Sequence, residues 1–296
     1  MGATQMDPPV NRSQTFDSYS TRIGKVVAWM STRLDQPLTL AQLAEIGHFS
    51  PWHFHRIYRG QMGETVTGTL RRLRLHRAAS ELLDSPRSIA EIARRAGYGS
   101  VAAFTRAFGS TYRCTPGAFR QRRTALPDVA PAARHLFAED LHMYTAEITT
   151  LAPVRVVALP HRGDYQKIGA TFDRLMDWAG RNGLFGPHTR SFGVYYDAPS
   201  ETPVDELRAD ACLQVPANAP LEDGMRWIEI AGGRHATVVH TGPYAELERA
   251  YDWLFCQWLP NSFEEAGNAP VYEEYLNDPS SLPPTEWKTA INLPLK

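Results

Sequence analysis

At 296 residues, 43% hydrophobic and 21% charged, the chain has room for two globular domains. It holds no apolar run near the roughly 20 residues that a membrane-spanning helix needs. The net charge of −1 conceals a split: 18 Lys or Arg against 7 Asp or Glu from Asn11 to Arg123, and 13 against 24 from Thr124 to Lys296. Three cysteines (Cys114, Cys212, Cys256) exclude a disulfide framework and lack metal-ligand spacing, which fits a reducing, cytoplasmic setting.

Residues Met1 to Ser13 read as a frayed tail, with no basic start leading into an apolar signal segment. From 14 to 123 the pattern is helical and basic, an all-α domain suited to a polyanion. A unit repeats inside it. LTLAQLAEIGHFSPWHFHRIYR (38–59) aligns with RSIAEIARRAGYGSVAAFTRAF (87–108), first at an offset of 49 and, after the turn, at 50, where Ser50, Phe54, Arg56 and Tyr58 meet Ser100, Phe104, Arg106 and Phe108. Each unit is a short amphipathic helix, a turn and a second helix, a helix-turn-helix. Ser50 and Ser100 suit the N-caps of the second helices, and Pro51 suits a first helical position.

Phe54 and Tyr58, like Phe104 and Phe108, are four apart and should pack inward. That turns Trp52, His55, Arg56 and Arg59 outward on one helix, and Ala102, Thr105 and Arg106 outward on the other. A helix fits the major groove of double-stranded DNA, where Arg can bind guanine O6 and N7 together. The intervening GTLRRLRLHRAASELL (68–83) reads as a helix of about 24 Å that spaces the two units. Some of its arginines, with Arg71 and Arg72 as candidates, should hold phosphate, and others should pair with Glu81 or Asp84.

Segment 124–143 is rich in Pro and Ala, lies where the charge changes sign, and is expected to be a linker. Residues 144–296 read as an acidic α+β domain with its own repeat. HRGDYQKIGATFDRLMDW (161–178) aligns with HTGPYAELERAYDWLFCQW (240–258) at an offset of 79, each copy running from an apolar strand through a His-x-Gly-x-Tyr turn into a helix. Duplicated β-α units about a pseudo-twofold axis leave a crevice, an ordinary ligand site. Wall candidates are Phe192, Tyr195, Tyr196, Trp227, Tyr244 and Trp253, several of which should be plain core. No HExxH, CxxC, GxSxG, P-loop or dinucleotide motif occurs, so no metal, no cofactor and no enzymatic activity are expected.

The first domain resembles the AraC/XylS family, on Leu43-Ala44, Ser50, Phe54, Arg56, the LRRLRLHRAASELL helix and the stretch IAEIARRAGYGSVAAFTRAFGSTYRCTPGAFR (89–120). The resemblance implies seven helices with two units in successive major grooves: Trp52, His55 and Arg56 facing bases in the first, and Ala102, Thr105 and Arg106 in the second. Ala102 and Ala103 are small, so the first reader is expected to discriminate more, the second to rely more on DNA shape. The second domain, above all PVYEEYLNDP (270–279), is similar to GyrI-like effector-binding domains. That similarity implies a crevice glutamate two residues before a tyrosine, by position Glu273 with Tyr275. Glu274 then has the solvated face, and a one-residue slip exchanges the two. The expected protein is a transcription regulator governed by a small cationic or lipophilic ligand, with DNA, this effector and RNA polymerase as partners and no membrane contact. The alternatives are a C-terminal hydrolase built on Glu273 and a tyrosine, or a protein-interaction module.

Overall fold

The computed structural model describes residues 12–122 and 144–296, with side chains from 18 to 121 and from 144 onward; the expected linker, 124–143, lies outside them. Seven helices come first: α1 (Arg12–Ser31), α2 (Leu40–Ile46), α3 (Phe54–Met62), α4 (Val66–Asp84), α5 (Ile89–Arg95), α6 (Val101–Tyr112) and α7 (Pro116–Arg122). Helix α1 takes in Arg12 and Ser13, so the end of the expected tail is helical. The inward stripes are as the spacing predicts: Phe54, Tyr58, Phe104 and Phe108 are all fully buried. Helix α4 packs Leu75, Ala78, Ala79 and Leu82 against Ile92, Phe104, Phe108 and Phe119 of the second unit.

Local capping follows the sequence except at one site. Thr39 with Gln42, and Ser88 with Glu91, form reciprocal capping boxes on α2 and α5. Ser100 caps α6 by accepting from the Ala103 N–H. Ser50 does not cap α3: residues 51–53 form turns, the helix starts at Phe54, and the buried Ser50 hydroxyl has no hydrogen-bond partner. Hence Ser100→Ala should cost about 1 kcal/mol of stability in urea unfolding, whereas Ser50→Ala should cost nothing measurable, since no bond is lost.

The arginines of α4 are largely internal stitching. Arg72 pairs with Glu64 at 2.7 Å, Arg74 donates to the Leu34 and Gln36 carbonyls, and Arg77 reaches Asp35 and the Arg95 carbonyl. Arg71 is exposed.

The second domain is an eight-stranded antiparallel sheet with strands β1 (Ala146–Leu151), β2 (Val154–Arg162), β3 (Ser191–Tyr195), β4 (Arg208–Leu213), β5 (Arg226–Ile230), β6 (Gly233–Thr241), β7 (Tyr272–Tyr275) and β8 (Lys288–Pro294). The order β1-β6-β8-β7-β3-β4-β2-β5 is the same four-strand motif twice, meeting where β7 pairs with β3. Helices α8 (Gly169–Arg181) and α9 (Leu247–Asp252) cover one face, and α9 runs on into a π turn at Trp253–Trp258. The repeated turns match in detail. Gly163 (φ 107) and Gly242 (φ 144), in a backbone region that favours glycine, donate their N–H groups to the Leu207 and Trp287 carbonyls.

The two domains share a core. Tyr19, Ile23, Phe49, Phe54 and Ile57 form one apolar cluster with Trp253, Leu254, Phe255, Leu259 and Leu295. Around it, Glu201 accepts from the Val66 and Thr67 N–H groups at the start of α4, and the Tyr19 hydroxyl accepts from the Ala266 N–H.

Candidate ligand cage and the helix that covers it

Strand pairing puts Gly193 directly opposite Glu273, and at the offset of 80 that equates Leu207 with Trp287 the two are equivalent positions of the repeat, as are Tyr195 and Tyr275. The pseudo-twofold axis therefore passes between a glycine and a glutamate. A Cβ on residue 193 would sit 2.6 Å from the Tyr275 hydroxyl and 2.8 Å from a ring carbon of Tyr195, so the axis has room for one side chain, and Glu273 fills it. Gly193→Ala should displace both tyrosines and shift their near-ultraviolet circular dichroism.

Glu273 is 4% exposed. Tyr251 donates to its Oε1 at 3.0 Å and Tyr275 to its Oε2 at 3.1 Å, while the Tyr195 and Tyr275 hydroxyls lie 2.9 Å apart. Tyr165 packs edge-on against Tyr195, and Phe172 and Tyr244 pack edge-on against Tyr275, at centroid distances of 5.0, 5.3 and 5.4 Å. Burial pushes the Glu273 carboxyl up to about 7, against the opposing pull of the tyrosine hydroxyls and the Arg56 charge. Burial beside this carboxyl holds Tyr195, Tyr251 and Tyr275 neutral, their hydroxyls well above the usual range.

Of the residues the sequence nominated for a ligand, Glu273, Tyr275, Tyr195 and Tyr244 meet here. Glu274 points to the other face, where Arg190 holds it at 2.6 and 2.7 Å. Phe192 lies opposite Glu274, on that same far face, packed with Val156, Ala158 and Tyr272. Trp227 shares the helix face but sits on β5 under α8, with β3, β4 and β2 between it and β7. Tyr196 and Trp253 are also outside the cage, the first bonded to Asp210 and the second packed on Tyr144. Tyr251, Tyr165 and Phe172 join the cage without having been nominated. Their signal was the 79-residue repeat, which pairs Tyr165 with Tyr244 and Phe172 with Tyr251.

Helix α3 lies across the mouth of this site. The Arg56 guanidinium stacks 3.9 Å above the centre of the Tyr251 ring and 5.6 Å from that of Phe255. It makes no ion pair among the described residues. Trp52 packs on Tyr196, the His53 ring meets the Ala269 carbonyl at 2.9 Å, and Arg59 pairs with Glu248 and Asp252 at 3.2 and 3.3 Å. Burial holds the His53 imidazole down to about 4, and burial with the Arg56 charge holds His55 well below its ordinary range. Gly60 permits the close approach, because a Cβ there would stand 3.0 Å from the Cys256 backbone in the π turn. Trp52, in the turn just before α3, and Arg56 and Arg59 on the helix thus contact the second domain, and His55 is half-buried beside them. On α6, by contrast, Ala102 and Arg106 are exposed and Thr105 is half-buried.

Residues 145–296 match the model of the GyrI-like small molecule binding domain, and residues 43–122 match that of a helix-turn-helix domain. The chain belongs to the GyrI-like small molecule binding family, joined here to an AraC-type helix-turn-helix region. A DNA gyrase inhibitor of Edwardsiella piscicida is 32% identical over 155 residues, covering 51% of this chain and 97% of that protein. The probable transcriptional regulator YgiV of Escherichia coli K12 is 27% identical over 146 residues, covering 48% of this chain and 90% of its own length. The crystal structure of the EcmrR C-terminal domain superposes with a TM-score of 0.46 at 21% identity, covering 52% of this chain and 99% of that one. Among the described residues no cluster of His, Cys, Asp or Glu could hold a metal ion, and no helix is long and apolar enough to cross a membrane.

Proposed function

We propose that the chain is a sequence-specific DNA-binding transcription regulator controlled by a lipophilic cation held in the cage around Glu273. The observation that carries the ligand class is the buried carboxylate itself. It has tyrosine hydroxyls as partners but, among the described residues, no cation in ion-pair contact, and aromatic rings surround it. Burying a carboxylate without a counter-charge is costly, and ring faces attract cations, so a flat or globular organic cation satisfies both. The DNA reading rests on the two helix-turn-helix units, with Arg106, Thr105 and Ala102 on α6 and Arg71 on α4 available to duplex DNA in this conformation. On this reading the chain acts by binding and not by turnover.

Two measurements test it. Chromatin immunoprecipitation of the full chain should yield discrete sites sharing a sequence, and uniform genomic coverage would reject specific reading. Calorimetric titration of tetraphenylphosphonium into the full chain should saturate at one site per chain, and the absence of saturable heat both there and in a variant lacking the stacked guanidinium, Arg56→Met, rejects the cation reading.

A further inference from the structure

We infer that Arg56 is the cage's built-in cation: the arginine that α3 would offer to a DNA base instead stacks at the mouth of the Glu273 site, so that operator DNA and a cationic effector each require its removal. The inference rests on the cation-cage reading above and adds the means by which the two sites communicate.

Three observations support it. First, the Arg56 guanidinium makes the contact a ligand cation would make, 3.9 Å over the ring whose hydroxyl donates to Glu273, and it has no ion-pair partner of its own among the described residues. A half-buried arginine without a carboxylate is best explained by the π face beneath it and the carboxylate beyond. Second, the docking is built from the residues that would face DNA. Trp52, Arg56 and Arg59 use the second domain's Tyr196, Tyr251 and the pair Glu248–Asp252 as partners. The carboxylates of this surface offer those cations what phosphate would offer on DNA. Third, the surface that receives α3 is fitted to it, with Gly60 leaving space for the π turn at Cys256. A helix cannot lie in a major groove while its outward face is covered by another domain.

Coupling follows from mutual exclusion. The docked form has α3 covered and the cage capped, and a cation that displaces Arg56 lowers the cost of undocking. DNA that captures Arg56 empties the cage in turn, so effector and operator should bind with positive, reciprocal cooperativity. Two pairs set the coupling: Arg56 competes for the cage, and Arg59 with Glu248 and Asp252 adds rim attraction that weakens with salt.

The test is calorimetric titration of tetraphenylphosphonium into the full chain and into its Arg56→Met and Gly60→Leu variants, with hydrogen exchange across 52–62 recorded on the parent. Removing the competitor should tighten binding about tenfold in Arg56→Met. Gly60→Leu leaves the guanidinium intact but wedges α3 off the π turn, and should give a gain in the same direction. In the parent, saturating cation should speed exchange in α3. If Glu273→Gln weakens the cation while Arg56→Met binds no tighter than the parent, the cage stands and the competition is overturned. If the parent shows no binding but Arg56→Met does, the competition is supported in its extreme form. If neither binds, both readings fall together.

Discussion

Tetraphenylphosphonium affinity should rise with pH through about 7 and level off above it, and Glu273→Gln should weaken binding and remove its pH dependence. The sign follows from burial, which raises the Glu273 carboxyl to about 7. Below that value the group is protonated and offers a cation no charge, and above it the carboxylate is free to pair. At pH 6 about a tenth of the sites are ionised, so the dissociation constant should be roughly tenfold weaker than on the plateau. At pH 8 the Gln variant should bind roughly 30-fold more weakly than the parent, about 2 kcal/mol of lost attraction at a site of reduced dielectric. The tyrosines facing this carboxyl do not titrate between pH 6 and 8, since burial pushes Tyr195, Tyr251 and Tyr275 on β3, α9 and β7 upward, and the charge facing it from α3 is the Arg56 guanidinium. The nearby His53 and His55 are held neutral by burial. A Gln variant that keeps the parent's pH profile would move the titrating group elsewhere.

Arg106→Ala should weaken binding to a specific site by 10- to 100-fold, about 1–3 kcal/mol, and relax preference at one base pair. Arg106 projects from α6 into solvent with Ala102 beside it, and Ser100, six residues earlier, caps the helix start. Fluorescence anisotropy against a panel of single-base variants reads the effect. Arg71→Ala is the contrast: exposed on α4, it should weaken all sequences alike and lower the salt slope by about one. Neither substitution touches the cage, so cation affinity should not move. An Arg106→Ala protein that discriminates like the parent would remove α6 from the groove.

The sequence made the helix-turn-helix repeat legible because its periodic stripes find their partners within the same domain, as Phe104 and Phe108 do with Phe119. The choice between Glu273 and Glu274 was a matter of strand alternation, and the sheet gives Glu273 the face under the helices and Glu274 the face with Arg190. What alternation could not supply was neighbourhood. Trp227 has the right face and the wrong strand, and Phe192 has the right strand and the wrong face. Tyr251 was hidden because a tyrosine on an amphipathic helix looks like core until a carboxylate is placed beneath it. Helix α3 exposes a deeper limit. An outward face of Trp, His and Arg serves a groove or a second domain equally well, and the order of the two readers inferred from residue size says nothing about which is uncovered.

The glycine at 193 has a consequence for how such a site can arise. Two identical chains meeting on a true twofold axis would carry the same residue on both sides: two glutamates forced into like-charge contact, or two glycines and no charge at all. Fusing the halves into one polypeptide lets one side keep the acid while the other gives up its side chain. Covalent duplication is thus what permits a symmetric scaffold to hold a single buried carboxylate on its axis.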